Sequence, residues 1–169
     1  MTTNELYLKT VFSCIACDCD IAPEEVDLVR NLSKAIKDLD VEALLNKWIE
    51  EINSKGASFL RSYLSDLADS ELTEDEQLKI INLAIKAIEA DNRIEYSEVK
   101  FFKKIRFRLS ISDEAILAVH PDKEDFLLPD INVAEDPIWD DTTEFARIAF
   151  GDLEEFSEEQ DKAQPEAEC

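Results

Sequence analysis

Two stretches decide the fold: Ile15-Ala16-Cys17-Asp18-Cys19-Asp20-Ile21-Ala22-Pro23-Glu24-Glu25-Val26 and, 73 positions later, Ile88-Glu89-Ala90-Asp91-Asn92-Arg93-Ile94-Glu95-Tyr96-Ser97-Glu98-Val99. Five of the twelve positions coincide: Ile15/Ile88, Asp18/Asp91, Ile21/Ile94, Glu25/Glu98 and Val26/Val99. With Ala22 and Glu95 as N-caps, Glu25 and Glu98 fall at the third helical position, where a carboxylate reaches back to unpaired backbone N–H groups. Ile21 with Val26, and Ile94 with Val99, then form the hydrophobic staple that sets the angle at which the chain joins the helix. Each stretch reads as the elbow of a helix–turn–helix unit.

Helical periodicity extends outward from both elbows. Leu28, Val29, Leu32 and Ile36 recur at helical spacing, as do Leu78, Ile81, Ile85 and Ile88. Thr2-x-x-Glu5 and Thr73-x-x-Glu76 have the form of capping boxes, and Pro23 suits a first helical position. Helices are expected near 4–17, 23–38, 41–54, 57–69, 74–90, 96–109 and 113–119, and no stretch alternates as a strand does. The expectation is an all-α bundle of about seven helices, with two pseudo-symmetric helix–turn–helix units and an acidic C-terminal extension.

Charge divides the chain. Residues 1–120 hold one proline and 23 acidic against 15 basic residues; residues 121–169 hold four prolines and 17 acidic against 3 basic. The predicted organisation is a helical domain over 1–120 and an acidic extension over 121–169, partly ordered at most. Phe126, Ile138, Trp139, Phe145 and Ile148 give that extension apolar residues to pack, whereas composition predicts disorder beyond Phe156. A net charge of −22 repels phosphate backbones and anionic lipid, which argues against nucleic-acid binding. With two glycines, the chain has no Gly-rich phosphate loop. No apolar run approaches the length of a membrane span and no signal peptide opens the sequence, so direct membrane insertion is not expected. Cys14, Cys17 and Cys19 crowd one helix end, a poor arrangement for disulfides, which favours a reducing, cytoplasmic setting.

Asp18 and Asp91 have no role in the elbow as such. Each lies at a helix C-terminus, where the dipole disfavours an anion, and each extends an apolar stripe: Tyr7, Val11 and Cys14 lead to Asp18, and Ile81, Ile85 and Ile88 to Asp91. Glu25 and Glu98 head the stripes of the next helices. All four carboxylates are expected to face inward, where each needs backbone N–H groups, a basic side chain or a cation. If the units pack about a pseudo-two-fold axis, Asp18, Glu25, Asp91 and Glu98 can converge, and four oxygen donors suit Ca²⁺ or Mg²⁺.

Asp18-x-x-Ile21-x-x-x-Glu25 and Asp91-x-x-Ile94-x-x-x-Glu98 resemble the signature of the tellurite-resistance TerB family, shared by a domain of membrane-anchored DnaJ-like co-chaperones. The resemblance covers roughly residues 5–118. It implies a compact all-α bundle, a stress-response role, a divalent-cation site at the acidic motif residues and work within membrane-associated complexes. The family usually carries Gly directly after the Asp; Cys19 and Asn92 stand there instead. Asn tolerates the left-handed backbone region, Cys less well.

Other patterns carry less. An EF-hand fails because Tyr96 and Pro23 occupy its glycine position, and Phe102 and Val29 its final glutamate. Cys14-x-x-Cys17-x-Cys19 has no fourth zinc ligand nearby, so small core residues are the simpler reading, with Cys19 the thiol to test for reactivity. His120 reads as a helix-terminus residue, and no nucleophile has an evident base. Lys100, Lys103, Lys104, Arg106 and Arg108 either relieve the acidic surroundings or form a docking strip for an acidic partner or the chain's own tail. The expected function is a non-enzymatic TerB-like stress-response module that scaffolds unidentified protein partners, with a divalent cation as candidate ligand. The alternative is a metal-free adaptor acting through its acidic segment; a metal-dependent hydrolase comes third.

Overall fold

The computed structural model describes residues 1–17 and 21–128. The acidic extension beyond 128, with Cys169, and the Asp18-Cys19-Asp20 corner lie outside the described residues. Within them run eight helices and no strand: α1 (Thr3–Ala16), α2 (Pro23–Ala35), α3 (Val41–Lys55), α4 (Ala57–Ala68), α5 (Glu74–Glu89), α6 (Tyr96–Phe107), α7 (Asp113–Val119) and the single turn α8 (Glu124–Leu127). The protein is an all-α bundle, and none of these helices is long and apolar enough to cross a membrane.

Helix boundaries obey local chemistry. Thr2, Asp40, Thr73 and Ser112 accept hydrogen bonds from N–H groups of the first turns of α1, α3, α5 and α7. At Thr73 the box is complete, since the Glu76 carboxylate accepts in return from Thr73 N at 2.8 Å. Gly56 separates α3 from α4 at φ 57°, a conformation that costs glycine no Cβ clash. α2 ends at Ala35, three residues short of the expected span, because Ile36 turns extended and its N–H closes on the Leu32 and Ser33 carbonyls.

α1 is the axis of the bundle. Every residue from Leu6 to Ala16 is buried, so this helix has core on all sides rather than one apolar stripe. It packs most extensively on α5 and also meets α2, α4 and α6. Phe12 sits against Trp48 of α3 and edge-on to Phe59 of α4, with ring centroids 5.6 and 5.5 Å away. Polar residues on α1 are accommodated individually. Thr10 Oγ1 donates to Leu6 O at 2.8 Å and meets Tyr63 Oη at 2.7 Å. Lys9 holds its ammonium over Phe59, 5.1 Å from the ring centroid, and reaches Asp66 at 3.3 Å.

The packed body continues past residue 120. Phe126 of α8 is buried against Phe102 of α6, centroids 5.4 Å apart, and Lys123 pairs with Glu89 at the end of α5 at 3.0 Å.

Candidate functional site

The two elbows join α1 to α2 and α5 to α6, as the repeat predicts. In the first, Glu25 stands at the third position of α2 and its Oε2 accepts the Ala22 N–H at 2.7 Å. In the second, Glu98 stands at the third position of α6 and its Oε2 accepts the Glu95 N–H at 2.8 Å. Neither N-cap side chain bonds the first turn of its helix, so in both elbows the glutamate at the third position does the capping. Both glutamates are buried, Glu25 at 2% and Glu98 at 3% exposure.

These two carboxylates act on one thiol. Cys14, in the last turn of α1, is buried, and its pKa is pushed up first by loss of solvent, then by the negative charges of Glu98 and Glu25. A helix end, two carboxylates from separate repeats and a protonated thiol thus share one interior corner. Cys17 is buried beside it and donates from Sγ to Cys14 O at 3.0 Å; neither forms a disulfide.

The aspartates differ from the glutamates. Asp91 is half-exposed, and its Oδ1 accepts the Arg93 N–H at 2.9 Å, closing a side-chain turn rather than pointing wholly inward. That turn is tight because Asn92 takes φ 58°, the left-handed conformation that glycine and asparagine adopt most readily. Asp18 and Cys19 lie outside the described residues. The staples also diverge. Ile21 is 5% exposed and Val26 is buried, whereas Ile94 is 51% exposed and Val99 half-buried. The spacing is repeated, but the second elbow stands farther out.

Among the described residues, no group of three or more His, Cys, Asp or Glu is arranged to hold a metal ion. Glu25 and Glu98 supply oxygen donors of the right hardness for Ca²⁺ or Mg²⁺, but two carboxylates fall short of the six to eight oxygens Ca²⁺ takes. Completion would require Asp18, Asp91, backbone carbonyls at the two helix ends and water.

The remaining sequence candidates take structural positions. His120 caps the end of α7 and its ring Nε2 hydrogen-bonds Asn82 Oδ1. Lys104 is buried, and Arg106 donates to Asp113 at 2.8 Å and to Leu109 O at 3.2 Å. Sequence reasoning missed Gln77, whose amide secures the loop between α6 and α7: its oxygen accepts from Ser110 N and Ile111 N, both at 2.9 Å, and its nitrogen donates to Leu72 O at 3.0 Å. It placed Cys14 on the stripe that leads to Asp18 but gave its thiol no part beside the two glutamates. The signal was available, since Cys14 lies four residues before Asp18 on the same face.

The fold and this corner define a class, the all-α bundle with twin glutamate-capped elbows. Comparison with known proteins adds no closer identification: no family model, no curated protein and no solved structure matches the chain.

Proposed function

We propose that the chain is a non-enzymatic, TerB-like stress-response module in which Glu25 and Glu98, with Asp18 and Asp91, form a divalent-cation site that ties the two elbows together. One observation carries this reading: a buried glutamate sits at the same helical position in both repeats, and both charges bear on the single thiol of Cys14. A divalent cation takes hard oxygen donors of this kind, and one held between the elbows would link them. The ion would brace the bundle as a scaffold for protein partners, in the cytoplasm or on a membrane-associated complex, and would perform no reaction.

Calorimetric titration of chelator-treated protein with Ca²⁺, Mg²⁺, Mn²⁺ and Zn²⁺ tests the site. Binding of Ca²⁺ or Mg²⁺ that disappears in the Glu25→Gln/Glu98→Gln variant supports it; no binding, or binding unchanged in that variant, rejects it. A second reading rests on the N-cap hydrogen bonds at 2.7 and 2.8 Å, which give each glutamate a role without metal. On that reading the protein is a metal-free adaptor acting through its acidic C-terminal segment, and pull-downs from full-length and 129–169-deleted protein recover different partners.

A further inference from the structure

α6 carries the one stretch of dense positive charge in an acidic protein. Residues 93–108 hold six basic and two acidic side chains, +4 by count, within a chain of net charge −22. Its outward stripe is Tyr96, Lys100, Lys103 and Phe107, spaced four, three and four residues apart and so aligned within one narrow face. Tyr96 and Phe107, at the two ends of α6, are 68% and 64% exposed, and the two lysines between them are half-exposed. The Lys100 ammonium lies over the Tyr96 ring at 5.0 Å, and the Arg108 guanidinium over Phe107 at 5.6 Å. A helix that ends its exposed face with two large aromatics and fills it with lysine has the character of a docking surface for an acidic, partly apolar chain.

α8 packs on α6 through Phe126 and Phe102, so the described residues end at Leu128 beside this helix. The remaining 41 residues include 14 acidic and two basic, with Ile138, Trp139, Phe145, Ile148 and Phe150 set among the acids. α6 is about 18 Å long at 1.5 Å per residue, and a 41-residue chain has a root-mean-square span of roughly 35 Å, so reach is ample. Tethering gives an effective concentration in the millimolar range, which makes even weak pairing favourable.

We infer that residues 135–159 of the chain's own acidic segment dock along the Tyr96–Lys100–Lys103–Phe107 face of α6, with carboxylates on the lysines and aromatic or aliphatic residues over the two exposed rings. The contact is independent of any cation at the elbows. It makes the segment a built-in competitor for any acidic partner of that face, and it weakens with salt because the charges are near the surface.

Zero-length carbodiimide coupling of Lys to Asp or Glu, on an equimolar mixture of ¹⁴N- and ¹⁵N-labelled full-length protein, tests the inference. The expected products join Lys100 or Lys103 to a carboxylate within 135–159 in peptides of one isotope only, and they decline at 0.5 M NaCl. Mixed-isotope products would make the occupant a second copy, and absence of coupling from both lysines into the segment would make it a foreign partner; either overturns the proposal. In the full-length Lys100→Glu/Lys103→Glu variant, amide hydrogen exchange across 138–150 should accelerate at least tenfold while α1 and α5 keep wild-type rates. Unchanged exchange across 138–150 would likewise overturn it.

Discussion

A buried hydroxyl and a buried thiol make opposite demands on α1. Ser13 Oγ is fully buried and has no hydrogen-bond partner among the described residues, so its desolvation is uncompensated. Ser13→Ala is therefore expected to raise stability by about 1 kcal/mol, read as a higher urea midpoint at unchanged m-value. A lower midpoint would mean that the hydroxyl has a partner after all. Cys14 is instead a pH-dependent liability. Its ordinary value of 9.0 is pushed up in the fold by burial and by Glu98 and Glu25, and Tyr63 is pushed up from 10.0 chiefly by burial. Both groups stay neutral in the folded chain at pH values where the unfolded chain has released the proton. Their contribution to stability is intact below about pH 9 and is lost as the pH climbs above it. Urea titrations between pH 8 and 11 should show a falling midpoint, and Cys14→Ala should make the fall shallower. At pH 8, Cys14 should react with a thiol reagent orders of magnitude more slowly in the folded protein than in urea.

The two elbows share a spelling but not a burial, and the difference sets their energetics. Glu25 and Glu98 do the same capping at nearly the same distance, so replacing either by Ala should cost about 1–2 kcal/mol. The neighbouring isoleucines should separate. Ile21→Ala removes a buried side chain and should cost about 2–4 kcal/mol, whereas Ile94→Ala, at a half-exposed site, should stay below about 1 kcal/mol. Thermal unfolding of the four single variants checks the ranking; equal costs for the isoleucines would mean that the second elbow is covered. This contrast also marks how far sequence reaches. Seven helices were legible because capping residues and apolar spacing are local and agree with each other, as at Thr73 with Glu76 and at Pro23. The inward glutamates were legible because the third helical position and the apolar stripe of the same helix both point that way. The half-exposed Asp91 was not, because a carboxylate at a helix end can either extend the stripe or turn back to an N–H two residues on, and only packing decides. Gln77 was illegible for the same reason, since its partners Ser110 and Ile111 lie more than thirty residues away.

At the scale of the molecule, the chain carries a net −22, of which −10 falls on residues 1–128, and self-repulsion opposes the compact state there. The rise in acidity at residue 121 is a feature of composition, and composition could not reveal that packing crosses it. Phe126 reaches Phe102, and Lys123 reaches Glu89, through contacts that only the folded chain makes. Those contacts attach the start of the acidic stretch to the helices that build the second elbow. Lys123 has its pKa raised, chiefly by its hydrogen bond to Glu89, so it stays charged across the neutral range. Salt then acts on the molecule in two senses. It screens the general repulsion, which stabilises the bundle, and it screens the exposed pairs on α6 and at α8, which weakens the hold of α8 on the body. The net effect on the body is governed by the larger number of like charges. Raising NaCl from about 10 mM, where screening reaches roughly 30 Å, to 1 M, where it reaches roughly 3 Å, should raise the melting temperature by several degrees. A Phe126→Ala variant should melt lower at both concentrations yet gain as much from salt, because the lost contact is apolar. If salt instead lowers the melting temperature of the parent protein, attractive pairs outweigh the repulsion among the bundle's acidic residues and the acidic surface is itself part of what holds the bundle together.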